Sequence, residues 1–163
     1  MNKNSKIIFI VFSLVFLNSC NEFQKLLRNE DVKLKYEMAE KYYENEEWRR
    51  ASTLFEQIQP QYRVKPQGER ITFFYANSLL NKKSYVLAAF QFESFVKSYP
   101  ISQKVEEAAF LGAYCYYKQS PRHSLDQEET QNAIEKLQNF INYYPYSDKL
   151  SEANDLVQEL RIK

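Results

Sequence analysis

The chain has 163 residues, 44% hydrophobic and 16% aromatic, with 22 Lys and Arg against 21 Asp and Glu. Its two glycines, Gly68 and Gly112, fall far below the usual share of about 7% and cannot build a phosphate-cradling loop, a dinucleotide fingerprint or a nucleophile elbow. Near-neutral charge and a single histidine, His123, offer no field for nucleic acid and no histidine-based metal or acid–base constellation, so composition argues against an enzyme. No cofactor, metal, nucleic acid or small-molecule substrate is expected.

Residues 1–19 read as an address. Met1 to Lys6 is polar with two lysines, and Ile7 to Leu17 is an apolar run broken only by Ser13. Such a run rises only about 16 Å as a helix, short of the roughly 30 Å hydrocarbon core, so it suits a secretory signal peptide rather than a transmembrane anchor. The ending Leu17-Asn18-Ser19-Cys20 resembles the bacterial lipobox, apart from Asn18 where a small residue is usual. The resemblance implies that Cys20 becomes the acylated N-terminus, carrying several covalent acyl chains (palmitate among them), enough for stable anchoring. Loss of Lys3 and Lys6 takes the net charge from +1 to −1. Asn21 stands where an Asp would retain the lipoprotein at the inner membrane, so the outer membrane is the expected destination, with the chain facing the periplasm. Residues 20–30 are expected to be the acylated tether. If Cys20 is acylated, Cys115 is left alone inside the apolar stretch Phe110 to Tyr117, as a small buried hydrophobe rather than a catalytic thiol.

From residue 31 the chain repeats. A shift of 37 aligns Tyr36, Phe73 and Phe110, then Ala39, Ala76 and Ala113, then Tyr43, Leu80 and Tyr117. A following block aligns Ala51 with Ala88, Phe55 with Phe92, Ile58 with Phe95 and Tyr62 with Tyr99. Its third copy needs a shift of 45, giving Ala133, Leu137, Phe140 and Tyr144, with eight extra residues around Gln119 to Gln127. Pro100-Ile-Ser-Gln-Lys-Val-Glu-Glu-Ala108 also matches Pro145-Tyr-Ser-Asp-Lys-Leu-Ser-Glu-Ala153 at five residue types.

Within each block the apolar residues recur every three or four positions, the stripe of an amphipathic helix. Helices are expected near 30–45, 48–59, 68–81, 85–98, 104–118, 128–143 and 148–161, with all five prolines between them. The alanine columns belong where paired helices approach closest. Ser102 and Ser147 read as helix N-caps, and Asp126-Gln-Glu-Glu129 has capping-box spacing. The architecture is an all-α solenoid of helical hairpins: units 31–66, 67–102 and 103–147, then a terminal helix at 148–163.

That terminal helix keeps the stripe Leu150, Ala153, Val157 and Leu160 but places Asp155 and Gln158 at the ladder positions, as a capping or incomplete-repeat helix would. A hairpin with Trp48, Ala51, Phe55 and Pro60 resembles the tetratricopeptide repeat, as does Tyr85, Ala88, Phe92 and Pro100. That resemblance implies a right-handed superhelix whose first helices line a concave surface. On this surface an aromatic ladder with polar groups is expected: Tyr36, Glu40 and Tyr43; Arg70, Phe73 and Asn77; Phe110, Tyr114 and Tyr117, extended by Lys33 and Glu107. Rings give area at low entropy cost, while Asn77 and Arg70 suit main-chain groups or a carboxylate of an extended peptide.

The lipobox Cys20, the Ser-Tyr-Pro and Tyr-Tyr-Pro junctions, Ala113-Tyr-Cys-Tyr-Tyr117, the Pro121 insertion with Ser124-Leu-Asp-Gln127, and Ala133 to Pro145 together resemble the BamD family of outer-membrane assembly lipoproteins, in a Bacteroidetes-like form. The resemblance implies five repeats. This chain carries three and the start of a fourth, so it reads as a fragment or a short form lacking the later repeats. It also implies two kinds of partner, the barrel-assembly protein BamA and unfolded outer-membrane proteins, and a non-enzymatic adaptor role in barrel assembly. The other reading is a structural scaffold lipoprotein that organises envelope or cell-wall partners through its convex face. The cluster Glu44, Glu46, Glu47, Arg49 and Arg50 reads as a solvated edge.

Overall fold

In the computed structural model, residues 22–120 and 128–162 are described, and every regular element among them is a helix. Residues 22–28 form α1, followed by α2 (Val32–Glu44), α3 (Trp48–Tyr62), α4 (Gly68–Asn81), α5 (Tyr85–Ser98), α6 (Val105–Gln119), α7 (Glu128–Tyr143) and α8 (Leu150–Arg161). Each helix from α2 onward packs on the next in chain order, and α6 also touches α8, which is the contact pattern of stacked hairpins. Helix starts and stops fall within a few residues of those expected from periodicity. The signal peptide, Cys20, Pro121, His123 and the Asp126 cap lie outside the described residues.

The alanine columns do what their size suggests. Ala39, Ala51, Ala76, Ala88, Ala133 and Ala153 are wholly buried, and Ala113 nearly so. Around them sit two apolar clusters. One runs from α2 to α6 through Ala39, Leu54, Phe55, Ile58, Ile71, Leu79, Phe92, Phe95 and Cys115; the other joins α6, α7 and α8 through Phe110, Leu137, Phe140, Leu156, Val157 and Leu160. Gly68 and Gly112 mark close approaches. A Cβ at 68 would fall 2.4 Å from the Tyr62 carbonyl oxygen, and one at 112 would fall 3.3 Å from Phe92 Cβ.

The turns inside the hairpins share one construction. After α2, the Glu46 N–H donates to the Tyr43 carbonyl and the Glu47 N–H to that of Tyr42; after α4, Lys83 and Ser84 repeat this toward Leu80 and Leu79. This is the Schellman closure, and it places Glu46 (φ 59°) and Lys83 (φ 65°) in the left-handed region where glycine is usual. At the third hairpin, Ser120 Oγ and Thr130 Oγ1 lie 2.9 Å apart and tie the ends of α6 and α7 together on either side of the insertion.

Three expectations are corrected. Pro60 lies inside α3, not after it, because Ile58 and Tyr62 are buried on either side of it and hold the last turn against the core. Residues 20–30 are not simply a tether: 22–28 are helical, and Phe23, Leu26 and Leu27, spaced for one helix face, pack on the first cluster. Ser102 and Ser147 sit two residues ahead of the N-cap positions Lys104 and Lys149. Asp31 does cap with its side chain, accepting from the Lys33 and Leu34 N–H groups at the start of α2.

The serines join adjacent units instead. Ser102 Oγ accepts from the Lys104 N–H (2.9 Å) and donates to Glu69 on α4 (2.6 Å); Ser147 Oγ accepts from the Lys149 N–H (3.1 Å) and donates to Glu106 on α6 (2.5 Å). The lysines complete the motif. Lys104 stands 5.3 Å over Phe73 and pairs with Glu107, while Lys149 stands 5.3 Å over Phe110 and pairs with Glu152. The repeated Pro-x-Ser-x-Lys string is thus an inter-repeat staple.

Candidate functional site

The first helices of the hairpins, α2, α4 and α6, carry the expected ladder, and it divides into two clusters. In the first, Tyr36 OH donates to Glu40 Oε1 at 2.6 Å, and Arg70 Nε meets the same oxygen at 2.9 Å, which bridges the first unit to the second. Arg70 also lies 5.0 Å over Phe74, and Phe74 stacks on Tyr43 with centroids 4.2 Å apart and planes 8° from parallel. Burial and the Glu40 hydrogen bond push the Tyr36 hydroxyl up to about 12. Burial, with the Glu107 charge behind it, also raises Tyr43. The Arg70 side chain remains half-exposed, so its guanidinium can meet an incoming carboxylate or carbonyl.

The second cluster is on α6 and α8. Tyr114 stacks on Phe110 (6.3 Å) and on Tyr117 (5.8 Å), and Lys118 lies 5.1 Å over Tyr114. Tyr117 OH donates to Glu159 at 2.5 Å; that bond and burial push its hydroxyl up to about 12. Asn77 lies between the clusters in chain order, half-buried, its side-chain oxygen accepting from Asn81 at 2.8 Å. Of the outlying positions, Lys33 pairs loosely with Glu37 at 3.9 Å, and Glu107 with Lys104 at 2.7 Å.

Two ladder residues are corrected. Phe73 is 5% exposed and Phe110 3%, each packed edge-on against rings of the following helix, Phe92 and Phe95 or Phe140. They form core and underpin the surface without presenting a face to a ligand. Phe74, Lys118 and Glu159 are the surface groups that sequence reasoning missed. Phe74 aligns with Glu37 and Leu111, a column with no shared residue type, so the repeat gives no signal there.

A concavity of about 540 Å³ opens between α5, α6 and α7. Val96, Val105, Ala109, Gly112 and Phe140 line it, and Lys136 meets Glu93 from the opposite helix at 2.6 Å, with Tyr116 OH donating to the same oxygen.

Among the described residues no three His, Cys, Asp or Glu side chains are grouped to hold a metal ion. Cys115 is buried, and burial pushes its thiol up to about 12, the opposite of an activated nucleophile. No described helix is long and apolar enough to cross a membrane.

The model of the YfiO family, described as outer membrane lipoprotein, matches residues 28–163, almost the whole repeat region. The chain belongs to this family. It is accordingly an all-helical repeat protein held at the outer membrane by a lipid anchor. The outer membrane protein assembly factor BamD of Helicobacter pylori (strain ATCC 700392 / 26695) is 38% identical over 68 residues, covering 42% of this chain and 31% of that protein. The match therefore spans about a third of the relative's length. Membership of the YfiO family agrees with the resemblance drawn from Cys20, the junction motifs and the third unit.

Proposed function

We propose that the chain is a non-enzymatic adaptor of outer-membrane barrel assembly, anchored through acyl chains on Cys20. It takes extended segments of outer-membrane protein precursors on the face formed by α2, α4 and α6 and presents them to the barrel-assembly protein BamA. The observation that carries this reading is the inter-unit bridge Tyr36–Glu40–Arg70, flanked by the Tyr43–Phe74 stack. It combines planar apolar area with a half-exposed guanidinium, the pairing an aromatic-rich peptide with a free carboxylate requires. Asn77, Tyr114 and Tyr117 continue the track, and Phe73 and Phe110 hold it from beneath.

The test is titration of a labelled peptide from the last strand of a barrel protein against wild type and the variants Tyr36→Ala, Arg70→Ala and Tyr114→Ala. Each loss of a central aromatic or arginine anchor is expected to weaken binding about tenfold or more. Unchanged affinity in all three would overturn the assignment of this face. The scaffold reading has one observation in its favour, the cavity between α5, α6 and α7. Partners held there would survive all three substitutions.

A further inference from the structure

The contacts of α1 show which edge of the solenoid its first residues occupy. Phe23 packs edge-on against Tyr42 with centroids 5.7 Å apart, and the Arg50 guanidinium lies 5.5 Å from the Phe23 ring. At the other end of α1, the Leu27 carbonyl accepts from Lys35 at 3.0 Å. Helix α1 therefore runs antiparallel to α2, with its first residues beside the α2–α3 turn. Cys20 is three residues before Phe23 and cannot be more than about 11 Å from it along any chain path. The start of α1 thus lies at the edge that carries the turns inside the hairpins, at 45–47 and 82–84, and an anchor on Cys20 would be tethered within that reach of it.

That edge bears an apolar patch the fold does not require. Val86 is 67% exposed, Leu87 54% and Phe90 64%. The equivalent positions are Arg49, Arg50 and Thr53 on α3, and Gln131, Asn132 and Glu135 on α7, so the repeat is content with polar residues there. Helix α5 is apolar on its buried face through Ala88, Ala89, Phe92 and Phe95 and apolar again on its open face, a pattern of helices covered on both sides. The chain segment that carries it is basic. Residues 70–92 include Arg70, Lys82 and Lys83 and no Asp or Glu, and Lys83 is the exposed residue of the left-handed turn that leads into α5. The acidic residues of this edge, Glu44, Glu46 and Glu47, belong to the adjoining α2–α3 turn, where Glu46 and Glu47 line one concavity with Lys82 and Lys83 and Glu47 pairs with Arg50.

We infer that Val86, Leu87 and Phe90, with Lys82 and Lys83, form an interfacial membrane contact that lays the anchored solenoid on anionic phospholipid. Apolar side chains enter the headgroup boundary while the lysines meet phosphate, a second attachment that adds to the acyl chains. The inference rests on acylation at Cys20. The opposite edge, with Val64, Ile101 and Tyr146 exposed at the junctions between units, then faces away from the bilayer.

The experiment uses the acylated protein on vesicles of phosphatidylethanolamine and phosphatidylglycerol. An environment-sensitive fluorophore is attached at Phe90→Cys or, in a second preparation, at Ile101→Cys, under native conditions that leave buried Cys115 unlabelled. Flotation with the vesicles reads the anchor, and quenching by headgroup-depth spin-labelled lipid reads the patch. The probe at 90 is expected to be quenched at least about threefold more than the probe at 101, and Lys82→Glu with Lys83→Glu to reduce that difference. Equal quenching at both positions in floating protein would overturn the inference and leave the patch to a protein partner. Protein that does not float would refute the anchor itself, and the membrane contact with it.

Discussion

Replacement of Ser147 by alanine tests whether the serine staple holds one repeat to the next. Ser147 is 9% exposed, and its hydroxyl serves two bonds, as donor to Glu106 and as acceptor from the Lys149 N–H. A hydrogen bond to a charged group contributes about 1.5–3 kcal/mol, and the half-buried position of Glu106 places this one at the lower end. Loss of about 1.5–2 kcal/mol is therefore expected, or a fall in Tm of roughly 3–7 °C for a domain of this size. Thermal and urea unfolding of Ser147→Ala, Glu106→Gln and the double variant would give the coupling directly. The structure calls for a coupling of about 1 kcal/mol between the two side chains. A coupling near zero, with each single loss intact, would show that Ser147 acts only within its own turn and that the repeated Pro-x-Ser-x-Lys string has no role between repeats.

Other outcomes follow from the same geometry. Gly68→Ala is expected to cost about 1–3 kcal/mol in urea unfolding, since its Cβ would fall 2.4 Å from a backbone oxygen; a neutral result would mean that the α3–α4 junction yields freely. Glu46→Gly should stabilise the chain by up to about 1 kcal/mol by relieving a left-handed non-glycine residue, and Glu46→Val should do the reverse. In alkali, Tyr36, Tyr75 and Tyr117 are raised from 10.0 to about 12 and Cys115 from 9.0 to about 12, so the folded state holds these protons longer than the unfolded chain does. Their stabilisation is complete below about pH 9 and is lost as pH rises toward 12. Melting temperatures across that window should fall less steeply in Tyr75→Phe and Cys115→Ala, and identical slopes would contradict the assignment.

The helices were legible because burial imposes a period on the sequence, and the alanine columns because close helix crossings impose a size. The surface was not legible for the converse reason. Phe73 and Phe110 align because every unit needs a ring against the following helix, so the repeat signal that singled them out was a packing signal. Phe74 and Lys118 differ from their counterparts in the other units, so the repeat carries no signal there, while Glu159 belongs to the terminal helix, outside the three aligned units. Pro60 misled for a related reason: proline marks a helix end only where no buried residue beyond it, here Tyr62, holds the turn. The serines were found by their recurrence but misassigned, because their partners Glu69 and Glu106 lie 33 and 41 residues away in the sequence.

The central claim is that unfolded barrel precursors travel on the α2–α4–α6 face. A photo-reactive amino acid at Asn77, in the chain anchored in its own outer membrane, reads this directly, with Gln131 on α7 as the comparison position. The account predicts adducts with barrel precursors at 77 and none at 131. Adducts at 131 alone, or at neither position while precursors are being assembled, would contradict it.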